Sequence, residues 1–182
     1  MSSTRTYLTL LCSFLYFSAP LVQAESTPTK GALPDAEHPV HISANSLETH
    51  QKKGQSTYKG NVVITQGSLT LKGDVIFIQH PNGTLKHVKA TGADTEHLAS
   101  FKRFSQIEQA WLTGQATTIE YDAAKRTLLL IGHAQIEQPG QHQIKGPKLF
   151  YDIKKQTLQA QSTSSEQGRV TVTFNPAPAN QE

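Results

Sequence analysis

Apolar and polar residues alternate with a period of two along much of this sequence, and the alternation limits the folds that it can adopt. The clearest stretch is 170–174, which reads Val-Thr-Val-Thr-Phe. Successive side chains of a strand point to opposite faces, so this stretch predicts a strand with one buried face. The stretches 62–66 and 128–136 alternate in the same way. In the predicted strand that follows residues 62–66, alternate residues share one face: Leu69, Leu71, Gly73, Val75 and Phe77. The sequence therefore predicts an all-β chain.

The alternating segments occur twice. Residues 60–66 (Gly-Asn-Val-Val-Ile-Thr-Gln) match residues 132–138 (Gly-His-Ala-Gln-Ile-Glu-Gln), 72 positions later. Residues 71–77 match residues 144–150, 73 positions later. A repeat of this kind indicates that one supersecondary unit is stacked on a similar one. We therefore predict two sequence-similar halves, built of antiparallel hairpins that form an elongated roll.

Two segments predict local structure of another kind. Residues 94–110 have no clear alternation and are the one segment in which we predict a short helix. Asn82-Gly83 lies between two alternating segments, and this dipeptide suits the positive φ angles of a type I′ turn. We predict a hairpin turn there.

The two ends of the chain differ from its alternating region. Residues 1–24 contain a single charge, Arg5, followed by an uncharged apolar run that ends in Val-Gln-Ala, as in a cleaved signal peptide. A membrane anchor is the alternative, but the run is short for a spanning helix, which needs about 20 apolar residues. We predict a flexible lead-in at 25–37, a single domain at 38–174 and a disordered tail at 175–182. Cleavage would remove Cys12, the only cysteine.

Motifs typical of enzymes are missing from the sequence. The eight histidines have no zinc-site spacing, no serine lies in a nucleophile elbow, and we expect no metal or cofactor. A carboxylate pair for glycoside hydrolysis is defined by geometry alone, so Glu108, Glu120 and Asp122 remain candidates for it. Glu120 and Asp122 also have the spacing of a polar outer row on one strand. We expect a protein that is not an enzyme, with a periplasmic glycan hydrolase as an alternative.

The net charge of +3 invites a nucleic-acid interpretation, but the basic residues are scattered. The one compact basic and aromatic cluster is Phe-Lys-Arg-Phe at 101–104. We therefore expect no binding to nucleic acid.

Three segments carry a resemblance to a known family. They are residues 58–67 (Tyr-Lys-Gly-Asn-Val-Val-Ile-Thr-Gln-Gly), the opening 38–42 (His-Pro-Val-His-Ile), and 114–122. Together they make the chain, over about residues 37–174, similar to the OstA-like (LptA) family. The resemblance departs at 94–110, where we align only Ala-Ser-Phe at 99–101.

The resemblance implies both a fold and a function. The implied fold is an open, slightly twisted antiparallel β-jellyroll. The implied function is periplasmic lipopolysaccharide transport, in which the lipid A moiety is bound and its acyl chains are shielded in an apolar groove. Members assemble head to tail and bridge the inner and outer membranes through an LptC-like and an LptD-like partner. A structural or adhesin-type β-solenoid without lipid cargo is the main alternative.

The resemblance also implies roles for individual residues. Val40, His41 and Ile42 match the N-terminal edge strand, where Val40 and Ile42 would pair with a partner and line the mouth of the groove. The other residues implied in acyl-chain binding are interior aromatics and two aliphatics at equivalent positions of the repeat: Phe101, Tyr121, Ile64 and Ile136. Ordinary core packing is the alternative for each of these. Lys102 and Arg103 are candidates for lipid A phosphate contacts, with a solvated loop as the alternative.

Overall fold

A computed structural model describes residues 35–106, 108–138, 142–162 and 168–174 of this chain. The predicted signal peptide, most of the predicted lead-in and the predicted tail lie outside the described residues. Among the described residues, no helix is long and apolar enough to cross a membrane.

The described residues fold into twelve strands and three short 3₁₀ turns. The turns are Asp35–Glu37, Gln51–Lys53 and Pro81–Gly83. The strands are β1 (Val40–Ser43), β2 (Ser46–His50), β3 (Gln55–Gln66), β4 (Leu69–Gln79), β5 (His87–Thr91), β6 (Ala99–Ser105), β7 (Ala110–Ala116), β8 (Thr118–Asp122), β9 (Thr127–Gln138), β10 (His142–Asp152), β11 (Thr157–Gln161) and β12 (Thr171–Phe174). The prediction of an all-β chain is confirmed.

Four long strands, β3, β4, β9 and β10, each contribute one half to each of two layers. The first layer has the order β2-β3-β4-β5-β8-β9-β10-β11, and the second has the order β1-β3-β4-β6-β7-β9-β10-β12. Every pairing is antiparallel. The inward residues of both layers form a single buried hydrophobic cluster. This arrangement is the open antiparallel jellyroll that the resemblance implied.

The sequence repeat corresponds to a repeated β-bulge at the point where the long strands pass between the layers. In β3 the register with β4 shifts between Lys59 and Val62, and Gly60 and Asn61 have φ of 79° and 49°. In β9 the register with β10 shifts at the same place of the repeat, where Gly132 and His133 have φ of 75° and 49°. A bulge adds one residue to one strand and bends it. Glycine adopts the left-handed conformation at little cost, which explains the first residue of both Gly-x pairs.

The predicted face of β4 holds for only part of this strand, which has no bulge of its own. Leu69 and Leu71 are buried, as predicted, but beyond the point opposite the β3 bulge the buried residues are Ile76 and Ile78. Val75 and Phe77 are half-buried and occupy the alternate positions. Placing them on the same face as Leu69 was wrong, because the inward set changes parity where the strand passes to the other layer. In β9 four of the five predicted inward residues are buried, Leu128, Leu130, Ala134 and Ile136, whereas Gly132 lies in the bulge and is half-buried.

The predicted helix at 94–110 is wrong, because these residues include the strand β6 and the start of β7. In β6 the inward residues are Ala99, Phe101, Arg103 and Ser105, all buried. Two of these four are polar, so the hydrophobic alternation that marks a strand was hidden.

The Asn82-Gly83 turn is confirmed in part. The two residues have φ of 54° and 77°, and the Thr84 N–H donates to the Pro81 carbonyl at 3.1 Å, as in a type I′ turn. The turn lies inside a wider loop, however, because the last paired residues of β4 and β5 are Gln79 and His87.

Candidate functional site

A continuous row of mostly apolar residues crosses the inner face of the second layer from one edge strand to the other. Its members are cross-strand neighbours in the order Ile42, Ile64, Leu71, Phe101, Gly114, Ile136, Ile144 and Val172. Ile64, Phe101 and Ile136 are 6%, 3% and 3% exposed, whereas Val172 at the far end is 44% exposed. The structure thus brings together four of the residues predicted for the interior, in one row that is buried at its centre and accessible at its ends.

The first layer carries a matching row on its own inner face. It consists of Leu47, Tyr58, Ile76, Ala90, Ile119, Leu130, Leu149 and Ala160. This row also starts at an exposed residue, since Leu47 is 56% exposed. Tyr121 lies in the neighbouring row of this layer, between Val88 and Leu128. Phe101 and Tyr121 therefore belong to opposite layers.

At the centre of the second layer, the ring of Phe101 lies against the backbone of Gly114. A Cβ atom at Gly114 would come within 2.3 Å of Phe101 Cε1. An aromatic ring that covers a glycine on the adjacent strand stabilises a sheet at a position without a side chain. The Phe101 ring is thus packed in the core of this structure, and its contact with acyl chains stays a prediction.

The N-terminal end of the interior opens into a cleft of about 450 Å³ between the two layers. Its lining is mostly apolar and consists of Val40, Ile42, Leu47, Thr49, Ser56, Tyr58, Ile78, His80, Gly83 and Leu85. Its polar members bond to one another, since Ser56 Oγ lies 2.9 Å from Thr49 Oγ1 and 2.7 Å from His80 Nε2. Val40 and Ile42 therefore line this cleft at the N-terminal edge, and their role at the mouth of a groove stays a prediction.

Both ends of each layer are strands that pair on one side only within the described residues. β1 and β2 pair with β3 at one end, and β11 and β12 pair with β10 at the other. In β1, Val40 and Ile42 are half-buried and His41 is exposed. The free side of each edge strand presents backbone N–H and carbonyl groups that a further strand could pair with.

Lys102 and Arg103 lie on opposite faces of β6, so they cannot contact one phosphate together. Lys102 is exposed, and its Nζ lies 4.3 Å from the centre of the Trp111 ring, which also makes an edge-to-face contact with Phe104 at 5.4 Å. Arg103 points inward and is 7% exposed. Neither residue lies in the solvated loop that was the alternative for them.

The Arg103 guanidinium belongs to a polar cluster at the inner rim of the second layer. Its Nη1 lies 3.5 Å from the Tyr151 hydroxyl and its Nη2 lies 3.8 Å from Asp35 Oδ2. Asp35, from the 3₁₀ turn at the end of the predicted lead-in, accepts hydrogen bonds from Ser68 N at 2.7 Å and Ser68 Oγ at 2.9 Å. The last residues of that predicted flexible segment are thus attached to the β3–β4 turn. Burial raises the pKa of Tyr151 and of Tyr121 above the ordinary 10.0, so both phenols keep their protons at neutral pH.

Sequence reasoning missed a second repeat, Tyr-Asp-x-x-Lys-x-Thr-Leu, which occurs at 121–128 and at 151–158. Each copy forms the turn after an inward tyrosine. The Asp122 and Asp152 carboxylates each accept a hydrogen bond at 2.9 Å, from the backbone N–H of Lys125 and of Lys155 respectively. These bonds are the main reason that the pKa of each carboxyl is lowered. The repeat was visible in the sequence, 30 positions apart, and marks two equivalent strand–turn–strand units.

The three carboxylates considered for glycoside hydrolysis lie beside basic residues or in turns. Glu120 is on the outer face of β8, 3.8 Å from His87 and 3.9 Å from Lys89, while Asp122 forms the turn just described. Glu108 is exposed in the β6–β7 turn. Among the described residues, no group of three or more His, Cys, Asp or Glu could hold a metal ion.

Comparison with known proteins agrees with this geometry. Residues 41–157 match the family model of the LptA/(LptD N-terminal domain) LPS transport proteins. The lipopolysaccharide export system protein LptH of Pseudomonas aeruginosa is 30% identical over 138 residues, which are 75% of this chain and 76% of LptH. The lipopolysaccharide export system protein LptA of Escherichia coli K12 is 28% identical over 154 residues, which are 85% of this chain and 80% of LptA.

A solved structure has the same fold. The crystal structure of LptH, titled the LptA homologous periplasmic component of the lipopolysaccharide transport device of Pseudomonas aeruginosa, matches with a TM-score of 0.69 and 26% identity. The match covers 78% of this chain and 99% of that one. The two-layered jellyroll, the bulged repeat and the family match over residues 41–157 lead to one conclusion: the chain belongs to the LptA/(LptD N-terminal domain) family of LPS transport proteins.

Proposed function

We propose that this protein is a periplasmic carrier that binds lipopolysaccharide and passes it along a chain of jellyrolls between the two membranes. The observation that carries the proposal is the pair of apolar inner rows, which run from the β1 and β2 edge to the β11 and β12 edge and are accessible at both ends. In this proposal residues 1–24 are removed on export, and residues 38–174 act as one domain. No bond is made or broken, so no catalytic residue is required.

The acyl chains enter at the N-terminal cleft. Val40, Ile42 and Leu47 offer an apolar mouth there, and the row behind them continues to Ile64, Phe101 and Ile136. Burial of one methylene is worth about 0.8 kcal/mol, so an acyl chain of about a dozen carbons gains roughly 10 kcal/mol by leaving water. The packed centre of the row has to open for a chain to pass. Tyr121 faces the same interior from the first layer.

The sugar and phosphate groups of the cargo stay at the rim, in contact with water. Arg103 faces the interior there, and we assign it the phosphate contact. Lys102 lies on the outer face of β6 and would contact a phosphate only if that phosphate were bound on the outer side of the sheet.

The edge strands, which pair on one side only among the described residues, supply the contacts between jellyrolls. A strand of an LptC-like partner pairs with β1, where Val40, His41 and Ile42 offer their free side, and the C-terminal edge faces the next jellyroll or an LptD-like partner. Because the two edges differ, copies of this chain would join head to tail and form open filaments. A structural β-solenoid would use the same edges but keep its interior filled.

Crosslinking to lipopolysaccharide separates a carrier from a solenoid. A photoreactive phenylalanine analogue replaces Phe101 or Tyr121, and Phe77, on the outward face of β4, is the matched aromatic control. The carrier predicts crosslinks to lipopolysaccharide at the two inward positions and a background level at position 77. Normally folded variants with no crosslink at either inward position would refute the carrier and favour the solenoid.

A further inference from the structure

The inner rim of the second layer contains two buried hydrogen-bond donors without acceptors. Arg103 is 7% exposed and Gln138 is 2% exposed, and neither Arg103 Nε nor Gln138 Nε2 has a partner among the described residues. Arg103 pairs with Leu112 on β7, and the register between β7 and β9, Thr113 with Glu137, brings Gln138 opposite Leu112. The two side chains thus point inward from the same rim, on either side of Leu112. Burying a charged group without full hydrogen bonding is costly, so such donors call for an acceptor.

The groups that surround Arg103 pair with it only weakly. Asp35 gives both carboxylate oxygens to Ser68, at 2.7 and 2.9 Å, and approaches the guanidinium only to 3.8 Å. The Tyr151 hydroxyl, at 3.5 Å, is at the limit of a hydrogen bond. A guanidinium can donate five N–H bonds in a planar fork and binds phosphate oxygens in pairs at about 2.8 Å. Asp35 is therefore a poor partner for Arg103, although its charge has the right sign.

We propose that Arg103, Tyr151 and Gln138 form a binding site for one phosphate-type oxyanion, and that Asp35 partly fills this site until the ligand displaces it. Arg103 and Gln138 supply donors from the second layer, and the Tyr151 phenol supplies one from the first. The site adjoins the apolar rows, so the oxyanion that fits it is the phosphate of an amphiphile. This inference deepens the proposed function and rests on it for the source of the phosphate. The same chemistry would also accept free phosphate.

Displacement of Asp35 would couple binding to the opening of the rim. Asp35 is held by Ser68 in the β3–β4 turn, and Ser68 Oγ also accepts the Phe104 N–H at 3.1 Å. The carboxylate thus ties the N-terminal turn to both β4 and β6 beside Arg103. A ligand phosphate that pairs with the guanidinium removes the attraction between Asp35 and Arg103, and the Asp35–Glu37 turn is then held less tightly beside Arg103.

Calorimetric titration of the full-length protein with three probes tests the site. The probes, used as monomers, are dodecyl phosphate, dodecyl maltoside and inorganic phosphate. Asp35→Asn is expected to tighten dodecyl phosphate binding about tenfold, because it removes a competing charge, and Arg103→Gln to weaken it about tenfold. Glu37→Gln, which removes a charge from the same turn at an exposed position, should leave the affinity unchanged. Dodecyl maltoside should bind all four proteins alike.

The pattern of results separates the site from the carrier function. The opposite signs for Asp35→Asn and Arg103→Gln cannot both arise from misfolding. If Asp35→Asn and Arg103→Gln both bind dodecyl phosphate with unchanged affinity, the phosphate site is refuted. The carrier function would still stand in that case, provided that both amphiphiles bind. Binding of inorganic phosphate that depends on Arg103, without binding of either amphiphile, upholds the site and refutes the carrier. If no probe binds any of the proteins, both proposals fail.

Discussion

Substitution of Gly114 by alanine tests whether the Phe101 ring fills the centre of the second layer. A Cβ atom at position 114 would lie 2.3 Å from Phe101 Cε1 and 3.0 Å from the Gln135 carbonyl oxygen. Ordinary contacts of a Cβ atom begin near 3.4 Å. The ring, which is 3% exposed, would therefore have to move by about 1 Å within a close-packed core.

The expected cost follows from two opposing effects. Overpacking of a core costs about 1–3 kcal/mol of unfolding free energy. Replacing glycine by alanine restricts the unfolded chain and returns about 0.4–1 kcal/mol. The net destabilisation by Gly114→Ala is thus about 1–2 kcal/mol. In a Phe101→Leu background the clashing ring atoms are absent and only the 3.0 Å approach to the Gln135 carbonyl oxygen remains, so the same substitution should destabilise the protein clearly less.

Urea unfolding followed by the fluorescence of Trp111, the only tryptophan, measures these differences. Gly146→Ala is the matched control, because its Cβ would meet Val170 and Leu149 side chains at ordinary distances of 3.4 and 3.6 Å. It should not destabilise the protein. A coupling energy between positions 101 and 114 below about 0.5 kcal/mol would refute the close packing of the Phe101 ring on Gly114. It would imply that the centre of the second layer is loosely packed.

Three further predictions concern the edge strand, the bulge and the turns. Ile42→Asp should weaken chain-to-chain contact about tenfold in concentration-dependent scattering while thermal unfolding shifts only slightly, and a monomer that unfolds would make Ile42 a core residue. Asn61→Val should cost about 1–2 kcal/mol in urea unfolding, because φ is 49° there, whereas Asn61→Gly should be nearly neutral, and equal effects would contradict the left-handed bulge. Asp122→Ala should cost about 1 kcal/mol at pH 7. The pKa of the Asp122 carboxyl is lowered below 3.8 in the folded state. The stabilisation by this carboxylate is therefore present above pH 3.8 and is lost as the pH falls through the folded pKa. A cost of Asp122→Ala that persists in acid would contradict the capping role of the carboxylate.

The alternation predicted the strands because it is a local signal, and the repeat could be found by comparing two segments of the sequence. The alternation gave the inward face of β9 correctly except at Gly132, and that of β4 correctly as far as Leu71. The change of face between Gly73 and Ile76 could not be predicted in this way, since it depends on where the strand passes between layers. The β6 strand was missed because its inward residues include Arg103 and Ser105, whose burial only the surrounding fold explains.

The site shows the same division. The resemblance identified Val40, Ile42, Phe101 and Tyr121, and the structure places all of them toward the interior. The resemblance could not show that Lys102 and Arg103 lie on opposite faces of the sheet. Neighbouring residues point to opposite faces only in a strand, and β6 was not predicted to be one. Asp35 was assigned to a flexible segment, since the partners that the structure shows for its carboxylate, Ser68 and Arg103, lie more than 30 positions away in the sequence.

By itself, the sequence determined the all-β class, the two similar halves and the family. These properties follow from side-chain period, turn chemistry and motif, all of which act over a few neighbouring residues. The tertiary structure alone decided which layer each half-strand joins, which residues form the inner rows, and that Arg103 meets Asp35 and Tyr151 at the rim. Those features depend on register between strands distant in sequence. The bulged strands β3 and β9 keep the same inward set in both layers, whereas β4, which has no bulge, exchanges its two faces.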